Sequence, residues 1–264
     1  MTHRVRSQDG TAIAHDQVGA GPALILVGGA LSTRGASEGL ATALAPAFTV
    51  ISYDRRGRGE SGDTLPYAPE REIEDLAALV EIAGDVAFAF GVSSGAGLVL
   101  RAAAAGVALT RLALYEPPFI VDDSRPPVPS DYLAHLDALL AEGRRGDAVE
   151  YFMREAVEVP PEMIAQMRES PMWAGMEAVA PTLPYDGAVM GDGMAGQPFR
   201  AGQWASVTAP TLVLDGGDSP AWMHNGVAAL AAALPNARRE TLPGQTHAVA
   251  PEVVAPVLRA FFSE

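Results

Sequence analysis

Between residues 86 and 101 the chain reads Val86-Ala87-Phe88-Ala89-Phe90-Gly91-Val92-Ser93-Ser94-Gly95-Ala96-Gly97-Leu98-Val99-Leu100-Arg101. The first part is a short apolar run typical of a buried strand, and the last part has helical character, so a strand is predicted to pass directly into a helix. Glycine on either side of Ser93 suits such a tight bend, because neighbouring groups come close there. The stretch therefore predicts one strand–turn–helix unit of a parallel α/β fold.

Short β-rich runs alternate with segments of helical periodicity along most of the chain. Strands are predicted at residues 23–27, 48–53, 85–90, 111–115 and 211–214, with two weaker ones near Arg4 and Ile13 and an eighth at 238–242. Helices are predicted from Pro69 onward and at 96–105, 221–234 and 252–262. This alternation predicts an α/β fold with a mostly parallel eight-stranded sheet flanked by helices.

The alternation stops between residues 119 and 206, where proline-rich stretches separate short helical patterns. We therefore expect a helical cap inserted after the sixth strand, on a core formed by residues 1–118 and 207–264, as a single domain overall. Seven of the nine methionines lie between Met153 and Met194. Flexible thioethers suit both the wall of an apolar pocket and the small core of the cap itself, and the two interpretations stay open.

The composition excludes several classes of function. The net charge is −14, all 18 basic residues are arginine, and the chain has no cysteine. Because the basic residues are scattered, we expect no nucleic-acid partner. Absence of lysine excludes the Schiff base of the usual pyridoxal phosphate enzymes, and absence of cysteine excludes disulfides and thiolate metal sites. No pair of histidine and carboxylate residues shows metal-ligand spacing, so we expect neither cofactor nor metal.

Location is predicted from the apolar segments. Residues 1–10 are polar, and no later segment contains an uninterrupted apolar run of about 20 residues. We expect a soluble cytoplasmic protein that does not contact the membrane. The sequence leaves its oligomeric state open.

Residues 57–62 match the dinucleotide-binding pattern G-x-G-x-x-G after a predicted strand. That pattern binds pyrophosphate only where its glycines open a helix. Pro66 and Pro69 forbid a helix directly after it, so we do not expect a nucleotide site.

Residues 91–95 match G-x-S-x-G, the pattern in which a serine is exposed on a strained strand-to-helix turn. Ser93 has Gly91 and Gly95 two residues away on either side, whereas Ser94 would be flanked by larger residues. The alternative is a simple Gly/Ser turn without chemistry. The strand before it and the helix after it favour Ser93 as a nucleophile.

A serine hydroxyl needs an adjacent base, most often histidine. His247 lies in a loop between the last predicted strand and the last helix, where it completes the chain order Ser, acid, His. The other histidines lie before the core strands, in the predicted cap or within a predicted surface helix: His3, His15, His135 and His224. His247 is therefore the predicted base, with a solvated loop histidine as the alternative.

Together these residues resemble the α/β-hydrolase family, and within it the small serine esterases and cofactor-free haloperoxidases. Residues 210–214 resemble the family's penultimate strand, and residues 53–62 resemble the loop after its fourth strand. Gly28-Gly29-Ala30 resembles its His-Gly-x loop, with Gly28 where many members carry histidine. The resemblance implies an oxyanion hole formed by the N–H groups of Ala30 and Ser94, and backbone donors need no histidine side chain.

The resemblance leaves the catalytic acid open between two carboxylates. The family's usual acid stands three residues beyond a glycine after the penultimate strand, but that count from Gly216 reaches Ser219, and Asp218 is one residue early. Some members instead carry a glutamate at the end of the sixth strand, as Glu116 does here. We favour Glu116, whose alternative is a strand-end carboxylate facing the cap, over Asp218, which has a local role near a helix start as its alternative.

The resulting hypothesis is a serine hydrolase that cleaves a carboxylic ester, a lactone or a thioester of a small to medium apolar substrate through an acyl-enzyme. Its partner is a small molecule, and perhydrolysis is a candidate side activity. Two other classes remain open. One is a ligand-binding homologue with inactive catalytic residues, which the displaced Asp218 favours, and the other is a lyase or cyclase that uses the same serine and histidine for proton transfer.

Overall fold

Eight strands form one sheet in the computed structural model, which describes residues 2–264. They are β1 (His3–Arg6), β2 (Ala12–Val18), β3 (Ala23–Val27), β4 (Thr49–Tyr53), β5 (Ala87–Val92), β6 (Leu109–Tyr115), β7 (Thr211–Gly216) and β8 (Ala237–Leu242). Their order across the sheet is β1-β2-β4-β3-β5-β6-β7-β8. β2 is antiparallel to β1 and β4, and all other neighbours are parallel. The prediction of a mostly parallel eight-stranded sheet is confirmed.

Helices cover both faces of this sheet. They are α1 (Glu38–Leu44), α2 (Pro69–Ile82), α3 (Ser94–Ala104), α4 (Tyr132–Ala141), α5 (Arg145–Glu155), α6 (Pro161–Arg168), α7 (Trp173–Val179), α8 (Leu183–Met190), α9 (Ala221–Ala233) and α10 (Pro251–Phe262). Along β3, Leu24 and Leu26 pack with α1 and α10, whereas Ile25 and Val27 pack with α2 and α3. A strand buried on both faces reads as a continuous apolar run, which explains why β3 was predictable.

The segment between β6 and β7 is helical and contains α4 to α8. We call residues 119–206 the cap segment. Within this segment, helix α8 packs against α3, the helix that begins directly after the predicted nucleophile Ser93. Met190 and Met194 are buried, while Met163 and Met172 are exposed, so the methionines do not share one environment.

Two features differ from the sequence prediction. β5 extends to Val92 and α3 begins at Ser94, so Ser93 alone separates strand from helix. Helix α1 was not predicted, because only Leu40 and Leu44 mark an apolar face in its seven residues. A periodicity of one helical turn is too short to recognise.

Three features of residues 2–264 concern membranes, metal ions and nucleotides. Within this range no helix is both long and apolar enough to cross a membrane. The same residues contain no group of three or more histidine, aspartate and glutamate side chains placed to hold a metal ion. After residue 62 the next helix starts at Pro69, so the glycines of residues 57–62 do not open a helix.

Candidate functional site

Ser93 occupies a strained turn at the carboxyl edge of the sheet. Its backbone has φ 57° and ψ −129°, in a region that residues with a side chain rarely adopt. The N–H of Ser93 donates to the carbonyl of Tyr115 in β6 at 2.9 Å, and its carbonyl accepts from Ala96 in α3. Strand pairing on one side and the helix on the other therefore hold the turn in place.

The glycines around Ser93 are required by close backbone contacts. A Cβ atom at Gly91 would lie 2.6 Å from Cα of Ala96, and one at Gly95 would overlap the carbonyl oxygen of Val27. A Cβ at Gly29 would lie 2.8 Å from Cβ of Ser93. The loop after β3 can thus approach the serine only because it carries glycine there.

His247 and Glu116 are hydrogen-bonded. Nδ1 of His247 lies 2.7 Å from Oε2 of Glu116, whose side chain is fully buried. The other carboxylate oxygen accepts from the backbone N–H of Gly216 at 2.7 Å. Because an ionised carboxylate only accepts, the proton of a neutral His247 lies on Nδ1 and leaves Nε2 free to accept.

The loop that carries His247 is tied to the sheet. The hydroxyl of Tyr115 donates to the carbonyl of Thr246 at 2.6 Å, and the N–H of Asp218 donates to the carbonyl of Gln245 at 2.9 Å. Asp218 contributes its backbone only, because its exposed carboxylate makes no hydrogen bond or ion pair with residues 2–264. Of the two candidate acids, the structure brings Glu116 to His247 and leaves Asp218 apart.

Ala30 and Ser94 lie next to Ser93, and both line a cavity that Ser93 and His247 also line. Neither backbone N–H donates to another group among residues 2–264. Ser94 begins α3, where the first N–H groups of a helix lack internal partners. Two unused donors beside one hydroxyl are the arrangement that an oxyanion requires.

Two cavities meet at Ser93 and His247. The cap-side cavity, of about 110 Å³, extends toward the cap segment and is lined by Tyr132, Met190 and Trp222. The sheet-side cavity, of about 570 Å³, extends toward the α1 and α10 face and is lined by Leu40 and Phe90. Asp186 is the only aspartate, glutamate or arginine among the described lining residues of the two cavities.

Sequence reasoning missed a buried charged group that connects the cap segment to this site. Oδ1 of Asp186 accepts from the Ser94 hydroxyl at 2.6 Å and from Arg55 at 2.6 Å, and Oδ2 accepts from Arg58 at 2.7 Å. Arg55 also makes two hydrogen bonds to Glu72, at 2.6 and 2.7 Å. We call these five residues the Asp186 cluster.

The Asp186 cluster holds both sides of the candidate oxyanion hole. Arg58 donates to the carbonyl of Gly29 at 2.6 Å, and Asp186 holds the side chain of Ser94. Burial alone would raise the pKa of the Asp186 carboxyl, but the charges of Arg58 and Arg55 and the Ser94 hydroxyl outweigh it and lower that pKa below its usual value. Asp186 is therefore a buried anion that two cations require.

Asp186→Asn is expected to lower the free energy of unfolding by about 3–5 kcal/mol at neutral pH, because Arg55 and Arg58 lose a buried counter-charge. The folded pKa of Asp186 is lowered, so its contribution is complete above the ordinary aspartate pKa of about 3.9 and is lost as the pH falls. The difference in free energy of unfolding between wild type and Asp186→Asn should therefore become smaller below about pH 4. Urea unfolding at several pH values measures it. Exposed Asp137 provides the matched control, and equal stability of Asp186→Asn and Asp137→Asn would contradict the role of the cluster.

A second aspartate and histidine pair lies away from Ser93. Nδ1 of His224 contacts Asp215, which is fully buried and also accepts from Arg239 at 2.6 Å. Burial opposes ionisation of Asp215, but Arg239 and His224 outweigh it and lower the pKa of this carboxyl. Neither Asp215 nor His224 lines the two cavities, so this pair anchors α9 to β7.

Comparison with known proteins adds independent findings. The model of the Alpha/beta hydrolase family matches residues 24–257. An alpha/beta hydrolase from Sphaerobacter thermophilus DSM 20745 is 63% identical in sequence, with a TM-score of 0.93 over 98% of this chain and 100% of that one. The enol-lactonase from Burkholderia xenovorans LB400 is 21% identical (TM-score 0.72, 99% and 100% covered). An esterase from Exiguobacterium antarcticum is 16% identical (TM-score 0.75, 100% of both chains), and these two share the fold.

Proposed function

We propose, since the chain belongs to the alpha/beta hydrolase family, that it is a serine hydrolase of neutral apolar carboxylic esters, including lactones. Ser93 is the nucleophile, His247 the base and Glu116 the acid. One observation carries the proposal: a serine on a strained turn opens on the same two cavities as an imidazole that is hydrogen-bonded to a buried carboxylate. The esterase and lactonase among the structural neighbours support hydrolase activity.

The reaction proceeds by two acyl transfers. Nε2 of His247 takes the proton of the Ser93 hydroxyl, and Oγ attacks the ester carbonyl carbon. The oxyanion accepts hydrogen bonds from the N–H groups of Ala30 and Ser94. When the tetrahedral intermediate collapses, the alcohol leaves with the proton from His247. Water then attacks the acyl-enzyme by the same route, which releases the acid and restores Ser93.

Glu116 stabilises the imidazolium that forms in each transfer. It is fixed by the N–H of Gly216 on one oxygen and by His247 on the other. A carboxylate held in this way keeps the ring in one orientation and one tautomer. The Asp186 cluster positions the oxyanion donors by fixing Gly29 and the Ser94 side chain.

The cavity linings favour an uncharged substrate. No arginine lines the cap-side or the sheet-side cavity, and the only carboxylate there is already bound by two arginines. A buried substrate carboxylate would have no partner, which costs several kcal/mol.

A matched pair of esters tests both parts of the proposal. p-Nitrophenyl pentanoate and mono-p-nitrophenyl glutarate have acyl chains of equal length, but the second ends in a carboxylate. We expect hydrolysis of the pentanoate, and a kcat/KM about 100-fold lower for the glutarate ester. A fluorophosphonate probe should label the protein once, on the peptide that contains Ser93.

Each outcome has a distinct meaning. Equal rates for the two esters would overturn the neutral specificity and leave the serine mechanism standing. Absence of both turnover and labelling would overturn the hydrolase and favour a ligand-binding homologue. Labelling together with a non-hydrolytic product would favour a lyase or cyclase.

A further inference from the structure

A third cavity, of about 320 Å³, is lined by residues of α3, of the end of α8 and of the cap segment after α8. It is bounded by Gly97 and Arg101 of α3, by Met190 of α8 and by residues 195–204 of the cap segment. Neither Ser93 nor His247 lines it, and Met190 alone also lines the cap-side cavity. We call it the Arg101 cavity.

Arg101 has no partner in this cavity. Within residues 2–264, its guanidinium makes no hydrogen bond and no ion pair, although the side chain is half-buried. In that same range, three other arginines have a guanidinium that makes no hydrogen bond or ion pair, and all three are exposed: Arg4, Arg145 and Arg200. A cation that is partly withdrawn from water without a counter-ion costs free energy, and an anionic ligand bound at Arg101 would remove that cost.

Trp204, which also lines this cavity, carries a second unpaired donor. Its indole N–H is buried and has no hydrogen-bond partner, and its side chain lines the Arg101 cavity. Buried indole N–H groups usually find an acceptor. The N–H itself is covered by neighbouring atoms, so Arg101 is the unpaired donor that a ligand in the cavity can reach, and it favours a ligand with hydrogen-bond acceptors.

Aromatic rings form the apolar part of the lining. Phe119 packs edge-on against Phe199 with centroids 5.0 Å apart, and both rings lie 6.3 Å from Trp204. Such walls favour a planar apolar body. Two further charged residues, Arg200 and Asp192, line the cavity. Together with Arg101 they give the lining one net positive charge, which suits a ligand with one negative charge.

We propose that the Arg101 cavity is a second binding site, separate from the catalytic one, for a small aromatic monocarboxylate. Arg101 pairs with the carboxylate, and the aromatic wall formed by Phe119, Phe199 and Trp204 holds the ring. The occupant contacts Met190, which forms the partition toward the cap-side cavity. The proposal does not depend on ester hydrolysis.

Isothermal titration calorimetry with sodium benzoate tests the site, with benzamide as the neutral ligand of the same shape. We expect benzoate to bind wild type at one site and benzamide to bind about tenfold more weakly or less. Arg101→Gln should weaken benzoate at least about tenfold, whereas Arg145→Gln, at an exposed arginine without a partner, should leave it unchanged. Trp173→Phe/Trp222→Phe, which keeps Trp204 as sole fluorophore, should show a fluorescence change on adding benzoate.

Thermal melting separates a binding role from a structural one. Without ligand, Arg101→Met should melt at the same or a higher temperature than wild type, because an unpaired cation is removed. Benzoate should raise the melting temperature of wild type only. Equal benzoate affinity in Arg101→Gln, or no benzoate binding to wild type, would overturn the proposal, and so would a lower melting temperature of Arg101→Met without ligand.

Discussion

Ser93→Ala is expected to lower kcat for p-nitrophenyl pentanoate by about 10⁴-fold or more while the protein stays folded. Alanine removes the hydroxyl that we propose as the nucleophile, but the proposed oxyanion donors of Ala30 and Ser94 remain, so a small residual rate over water should persist. The backbone strain at φ 57° is the same for both side chains. Steady-state rates on purified protein, with urea unfolding as the check on folding, measure the effect.

Ser94→Ala is the matched control for this change. It removes a neighbouring serine hydroxyl and its hydrogen bond to Asp186, but it keeps the backbone N–H that we propose as an oxyanion donor. We expect a loss of at most about tenfold in kcat. A loss in Ser94→Ala as large as that in Ser93→Ala, or wild-type rates in Ser93→Ala, would show that the nucleophile is assigned wrongly.

The sheet and the turn at Ser93 were predictable because their determinants are local. Strands β3 and β5 are short apolar runs, and the glycines at 91 and 95 mark a close approach within a few residues. The strand ends later and the helix begins earlier than predicted, so that Ser93 alone lies between β5 and α3. The position of His247 followed from chain order, since loops at the carboxyl edge of a parallel sheet lie side by side.

The Asp186 cluster could not be predicted, because its contacts join distant parts of the chain. Arg55 and Asp186 are 131 residues apart, and no local pattern connects a loop after β4 to a cap helix. One signal was present: three arginines, Arg55, Arg56 and Arg58, follow a buried strand, and buried arginines need carboxylates. That signal indicates a buried ion pair but does not say which acid provides it.

The contact between Glu116 and His247 depends on backbone geometry that no sequence pattern fixes. Glu116 has φ +45°, rare for a residue with a side chain. At that turn its carboxylate reaches both Gly216 and His247. The sequence favoured Glu116 over Asp218, but it could not show the hydrogen bond between Glu116 and His247.

Glu116→Gln is expected to reduce kcat by about 10³–10⁴-fold with little change in KM. Glutamine has nearly the same shape, but it lacks the negative charge that stabilises the imidazolium, and its amide presents a donor where Nδ1–H of His247 needs an acceptor. The Ser93 hydroxyl then faces an imidazole in the wrong tautomer. Steady-state kinetics on the pentanoate ester, with fluorophosphonate labelling rate as a second readout, measure the loss.

Asp218→Asn is the control for Glu116→Gln. It shows whether the loss of activity comes from the specific role of Glu116 or from the general loss of a negative charge near the site. The Asp218 side chain is exposed and makes no polar contact with residues 2–264, while its backbone N–H still supports the His247 loop through Gln245. We therefore expect kcat within about twofold of wild type, as for most surface substitutions. Loss of activity in Asp218→Asn together with wild-type activity in Glu116→Gln would show that the mechanism built on Glu116 is wrong. The loop would then have to rearrange so that His247 contacts the exposed carboxylate of Asp218 instead of the buried one of Glu116.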